Sequence, residues 1–209
     1  MDQQALTVAA VTWLAGQGIT AGPALTDALT GLYTDGYLVG TASAAAVTGS
    51  ESAGLDGWAP GDRAAAQDRI DSHGAGPALT VLTAGAAAAA ATLTASRIKD
   101  AAKALAAGVM AGDAPRTIGT AMHAAMTDPD RAYAAVITET TRGIAAGTAD
   151  NYRRNGIALG QWQTEPDGNV CPVCDANAAA GPIPIGHAYP SGDTTPPAHP
   201  RCRCAVLPA

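Results

Sequence analysis

Four cysteines and one histidine, all in the last fifth of the chain, have the types and spacing to bind a metal ion. Cys171-Pro172-Val173-Cys174 and His199-Pro200-Arg201-Cys202 read as one knuckle used twice, with a histidine replacing the first cysteine in the second copy; Cys204 follows. Each knuckle places two soft donors three residues apart around a proline that fixes φ and tightens the turn. Two such knuckles supply the four tetrahedral nitrogen and sulfur ligands that a structural zinc prefers. The expected set is one zinc held by Cys171, Cys174, His199 and Cys202, with Cys204 a further thiolate able to take the place of His199. The competing readings are disulfides or free buried thiols. Four cysteines pair in three ways, and a bridge within C-x-x-C is strained and usually redox-active. The surroundings here are rich in Pro and Gly rather than a βαβ pattern, which favours the metal.

Something must bring the two knuckles together. Residues 157–163 alternate in polarity and predict a short strand. Glu165-Pro166-Asp167-Gly168 is a turn signal. Residues 181–185 predict a second strand, which its prolines confine to a sheet edge. Residues 190–200 predict a loop, and the tail Ala205-Val206-Leu207 is expected to pair with the strand that carries Trp162.

Upstream, the chain is helical in character. Its apolar fraction is 47%, carried mostly by Ala, with aromatics at 4% and no Phe. Ala favours helix but buries little area, so the helices should pack closely and depend on neighbours. Helices are expected over 3–16 and from Pro23 through Leu38, where Gly31, Gly36 and Gly40 weaken the helix or permit close backbone approach. A loop near 48–62 contains Trp58. A helical stretch over 63–107 breaks near Gly74–Pro77, and a turn over 108–115 precedes a short helix over 117–126 bearing His123. A long helix then starts with Asp128 as N-cap and Pro129 in its first turn, and ends at Gly156. Trp13, Tyr33 and Tyr37 are expected to pack in the core. The fold class is therefore α+β, mainly α. An Ala-rich helical region over 1–127 precedes a small β-rich zinc-knuckle domain over 128–209.

Residues 72–96 lack Asp, Glu, Lys and Arg, yet weak hydrophobicity argues for a small-residue helix against a neighbour rather than a membrane span. Net charge is −6, against a nucleic acid wrapped along a basic face. The first residues lack a basic signal-like region, so a cytoplasmic, reducing compartment is expected, which again favours metal over disulfide.

The order of residues in the last third resembles a known family. Thr138-Glu139 on a helix is followed by Tyr152, Gly156, Trp162, an acidic turn and C-P-x-C, then by Pro196-Pro197-Ala198-His199-Pro200-Arg201-Cys202-Arg203-Cys204 and a short apolar tail. This resembles the C-terminal domain of the Mu F-type phage head morphogenesis proteins, or minor head (capsid) proteins. One departure is Asp175 to Gly181, which lacks the Leu-Asp-Gly run of the family pattern. The resemblance implies a non-enzymatic virion protein made in the host cytoplasm, associated with the portal protein and head interior. Its implied neighbours include the major capsid protein and packaged DNA, with several copies per particle, and its implied role is head morphogenesis with DNA packaging or ejection.

Two alternatives come from the residues themselves. A nucleic-acid-binding zinc module would use Arg153, Arg154, Arg201 and Arg203 as a local patch. A zinc-dependent enzyme would draw on Glu165, His187 or Asp193 between the knuckles, but it needs an open coordination position, and five candidate donors leave little room for one.

Overall fold

In the computed structural model, the described residues are 23–49, 63–72 and 76–209. The expected helix over 3–16, Trp13, and nearly all of the loop near 48–62 with Trp58 lie outside them. The elements are α1 (Pro23–Thr48), α2 (Arg63–Ser72), α3 (Gly76–Ala111), α4 (Pro115–Met126), α5 (Pro129–Arg154), β1 (Leu159–Gln163), α6 (Pro172–Ala179), β2 (Pro182–Pro184) and β3 (Ala205–Pro208). The chain is mainly helical, with a small C-terminal sheet that bears the Cys/His cluster. It divides into two compact units, one including Ala87–Tyr133 and the other Asp27–Ala86 with Ala134–Ala209. Among the described residues no helix is long and apolar enough to cross a membrane.

The first unit buries Ile98, Ala101 and Ala102, with Leu105, Met122 and Met126 packed against them. Arg131 reaches Asp100 and also donates to Ser96 Oγ at 2.7 Å, tying the start of α5 to α3. The turn expected over 108–115 is shorter than anticipated, because α3 runs on to Ala111 and α4 opens at Pro115. In the stretch without charges only one face is covered: Ala86 and Ala90 are fully buried, while Ala87, Ala88, Ala91 and Thr92 are exposed.

In the second unit α1 and α5 run parallel and touch backbone to backbone. A Cβ on Gly40 would lie 1.9 Å from the Ile144 carbonyl oxygen, and one on Gly147 would lie 2.0 Å from that of Tyr37. Only glycine fits at either position, so the glycines of α1 serve for close approach. The helices are also joined by hydrogen bonds. Thr148 Oγ1 donates to the Gly40 carbonyl at 3.2 Å, the Tyr33 hydroxyl donates to Glu139, and the Tyr37 hydroxyl donates to Asp150. Both tyrosine rings are buried, as expected.

The ends of α5 follow from local sequence. Asp128 Oδ1 accepts the Asp130 N–H at 3.0 Å, and Pro129 begins the helix. At the other end Gly156 takes φ +69. Its N–H reaches the Arg153 carbonyl at 3.3 Å and that of Ile157 reaches Tyr152 at 2.9 Å, the paired bonds of a Schellman stop. The chain then turns directly into β1.

The sheet has the order β2-β1-β3, antiparallel throughout. Trp162 lies opposite Val206, so the tail pairs where the sequence placed it. β2 is an edge, as its prolines require. Strand alternation puts Trp162 and Val206 inside, in one core with Tyr152, Tyr189, Cys174, Cys202, Cys204 and Ala44 of α1. The Trp162 and Tyr189 rings meet edge to face, with centroids 5.0 Å apart.

Candidate metal centre

Local physics builds each knuckle differently. The first is the opening turn of α6. Cys171 is the N-cap, with extended backbone, Pro172 follows it, and the Cys171 sulfur accepts the Cys174 N–H at 3.4 Å. The reading of residues 171–181 from sequence as a turn followed by a hairpin missed this helix. A cysteine is not a usual N-cap signal, and Asp-Ala-Asn-Ala-Ala is too short to show periodicity. Asn177, one turn on from Cys174, is fully buried. Its amide donates to Ser191 Oγ and its carbonyl accepts the Ser191 N–H, both at 2.9 Å, and this pins the loop that leads to the second knuckle. The Tyr189 hydroxyl, donating to the Gly160 carbonyl at 2.8 Å, holds the same loop to β1.

The second knuckle is held from α5. Thr138 and Thr141, one turn apart, grip its backbone: Thr138 Oγ1 accepts the Arg201 N–H at 2.9 Å, and Thr141 Oγ1 donates to the Cys202 carbonyl at 3.0 Å. Arg201 sits at φ +63, a left-handed conformation costly for a side chain with a Cβ, and the bond to Thr138 helps hold it there. Thr138 was legible only as part of a family pattern, and Thr141 carried no signal. A threonine on a helix reads as surface until the chain that lies across it is known.

These supports bring the donors together. His199 Nε2 is 3.1 Å from the Cys171 sulfur and 3.2 Å from that of Cys174, and the Cys174 and Cys202 sulfurs are 3.8 Å apart. The cluster consists of two triplets sharing Cys174: Cys171, Cys174 and His199, and Cys174, Cys202 and Cys204, with the donor atoms of each within 4.8 Å of one another. All four cysteines are free, which sets the disulfide reading aside.

Donor chemistry and spacing both fit a zinc-sized ion. Zinc–sulfur bonds of about 2.3 Å put two tetrahedral sulfurs about 3.8 Å apart, and a sulfur and a nitrogen about 3.6 Å apart. The sulfur pair matches this, and the two nitrogen–sulfur distances are a few tenths of an ångström tighter. His199 Nδ1 lies 2.8 Å from the Pro200 carbonyl. A carbonyl only accepts, so Nδ1 carries the proton and Nε2 turns a lone pair toward the sulfurs, the second-sphere contact that prepares a histidine for a metal.

The thiols differ in their surroundings. The Cys174 backbone N–H holds Cys171 below the ordinary thiol range. Burial pushes Cys174 far up, and contacts with the Cys204 and Cys171 sulfurs add to the rise. Burial also raises Cys204, while hydrogen bonding from Trp162 and with Cys174 draws it back. Several buried sulfurs crowded without a cation resist ionisation, and a divalent ion among them reverses that preference.

The residues considered for catalysis do not converge with the donors. Glu165 lines the cavity of about 40 Å³ beside the cluster, but His187 and Asp193 are not among its walls. Asp193 accepts from Ser191 Oγ at 2.9 Å. The arginine patch is largely paired: Arg153 and Arg154 reach Asp150 at 3.6 and 2.7 Å, and Arg203 pairs with Asp167.

Compared with known proteins, residues 99–207 match the family model described as Phage Mu protein F like protein. No curated protein and no solved structure matches the chain.

Proposed function

The chain belongs to the Phage Mu protein F like family, a structural and non-enzymatic component of phage head morphogenesis, and from that premise we propose a minor head protein that sits at the portal vertex, facing the head interior. Its C-terminal domain is clamped by one zinc, bound by Cys171, Cys174, His199 and Cys202. The observation that carries the zinc reading is the convergence of His199 Nε2 with the two sulfurs of the other knuckle, at 3.1 and 3.2 Å. With four protein donors the ion has no place for water, so it acts as a structural crosslink rather than a Lewis acid. It closes the loop between the knuckles against α5, forming a rigid body through which the helices can engage a portal ring. Portal and capsid contacts, several copies per particle and a part in packaging or ejection are consistent with this role.

The nucleic-acid-binding alternative has less support. Three arginines of its patch already neutralise carboxylates, and the chain carries a net charge of −6. DNA affinity that falls steeply with salt would revive it.

Two measurements test the proposal. Metal analysis of protein purified without chelator should give one zinc per chain, lost in Cys174→Ser. Co-expression with the portal protein of the same phage should give a complex that survives size exclusion. A zinc-free wild type rejects the metal, and failure to co-elute with the portal rejects the portal assignment.

A further inference from the structure

The two knuckles offer five donors, and a closed tetrahedral shell takes four. The zinc reading uses Cys171, Cys174, His199 and Cys202, which leaves Cys204 to be explained. Building on that reading, we propose that Cys204 is not a ligand but a hydrogen-bonded link: the Trp162 indole N–H donates to its sulfur, and its S–H donates to the Cys174 thiolate that holds the ion.

Three independent features converge on this. The first is strand register. Trp162 is paired with Val206, and burial alternates along the tail, with Cys202, Cys204 and Val206 inside and Arg203, Ala205 and Leu207 outside. Cys204 therefore lies on the face of the sheet that carries Trp162, diagonal to it, within reach of a large ring. The second is an orphan. Trp162 is 1% exposed, and its Nε1 has no hydrogen-bond partner of normal geometry. Such a buried donor is costly, by about 1–3 kcal/mol, unless an acceptor lies close. The Cys204 sulfur is the acceptor on which the indole acts. The third is position. The Cys204 sulfur lies within 4.8 Å of both the Cys174 and Cys202 sulfurs, and it belongs to the triplet that does not include His199. A buried thiol outside the ion's shell keeps its proton, and that proton has the Cys174 sulfur to go to.

The consequence is a polar path from the sheet core to the ion. A hydrogen bond to a thiolate ligand spreads its charge and fixes its direction, and loss of such a second-sphere partner typically costs about 10–100-fold in metal affinity. Trp162 would then hold Cys204, and Cys204 would hold Cys174, so that formation of the sheet and formation of the site favour each other.

The test uses the full-length zinc-loaded protein, its C204S and C204A variants, and H199A. Zinc X-ray absorption of the wild type should count three sulfurs and one nitrogen. C204S and C204A should each retain one zinc, with C204A releasing it to a competing chelator at about 10–100-fold lower affinity. C204S should recover much of that loss, because a hydroxyl both accepts and donates but is a poor zinc ligand. The Trp162 indole ¹H–¹⁵N resonance should move in C204A while zinc stays bound, a signature that general loosening of the fold would not give. Four sulfurs in the wild type overturn the proposal, as does zinc lost from C204S but kept in H199A, since either makes Cys204 the fourth ligand. An unmoved indole resonance in C204A overturns it as well. A wild type without zinc would instead defeat the metal reading on which it rests.

Discussion

The contact between α1 and α5 and the union of the two knuckles are both assembled from distant parts of the chain, yet they are held by opposite means. In the helix pair the side chains have been reduced until the backbones themselves touch, at Gly40 and Gly147. In the knuckle domain the backbone runs through loops, and side-chain donors do the joining, at His199, Cys174 and Cys202. Shape complementarity of the first kind fails sharply when an atom is added. Coordination of the second kind fails when a donor or the ion is taken away. An Ala-rich chain without Phe has few large apolar side chains to build a thick core, and these are two ways to manage without one.

Removing the ion should give the largest effect. A strong chelator, or Cys174→Ser, should unfold the sheet and knuckles while α1 and α5 keep most of their helical circular dichroism. Structural zinc contributes on the order of 10 kcal/mol in small metal-dependent domains, more than the whole stability of many of them. The readout is loss of the buried Trp162 fluorescence signature with little change in helical ellipticity. Equal loss of both would mean that the two regions are one cooperative structure and that the contrast between them is false.

Adding an atom should come next. Gly40→Ala or Gly147→Ala places a methyl about 2 Å from a carbonyl oxygen that cannot move without bending its helix. Overpacking of this kind costs about 1–3 kcal/mol. Denaturant melts should show that loss, with zinc content unchanged. If either variant is as stable as the wild type, the helices do not meet at these glycines.

The two regions also differed in how far they could be read from sequence. The cluster was legible because metal ligands are few in type and fixed in spacing: Cys171, Cys174, His199, Cys202 and Cys204 all fall within one cluster. The tail's pairing with the Trp162 strand was legible from alternation, and the ends of α5 from Asp128, Pro129 and Gly156. The helix contact was only half legible. Gly36 and Gly40 suggested close approach, but glycine also reads as a weak point in a helix, and nothing in α1 names Gly143 and Gly147 of α5 as its partners. Helix α6 and the grips of Thr138, Thr141 and Asn177 were hidden for a related reason. Their roles are defined by backbone groups far away in sequence, and a backbone group has no residue type to reveal it.

The smallest expected effect, silent at neutral pH, concerns the polar pairs beside the glycines. Burial raises the Tyr33 phenol well above its ordinary value of 10.0, and Glu139 beside it adds to the rise. Burial and Asp150 do the same for Tyr37. Each phenol must stay protonated to donate to its carboxylate. The folded chain therefore keeps these protons at a pH where the unfolded chain has begun to release them. Stability rises with pH where the unfolded state binds more protons, and here it binds fewer, so stability falls. The contribution is complete below about pH 10, the unfolded value, and is lost progressively as pH climbs from there toward the raised folded values. The helix contact should thus weaken in strong alkali. The knuckles should not weaken with it, because thiolates already bound to a metal have no proton left to lose. In Tyr33→Phe and Tyr37→Phe, melts followed by helical ellipticity should show a shallower decline above pH 10 than the wild type, whatever their stability at pH 7. Parallel slopes in wild type and variants would mean that the two phenols are as free to ionise in the fold as outside it, and that glycine contact alone joins α1 to α5.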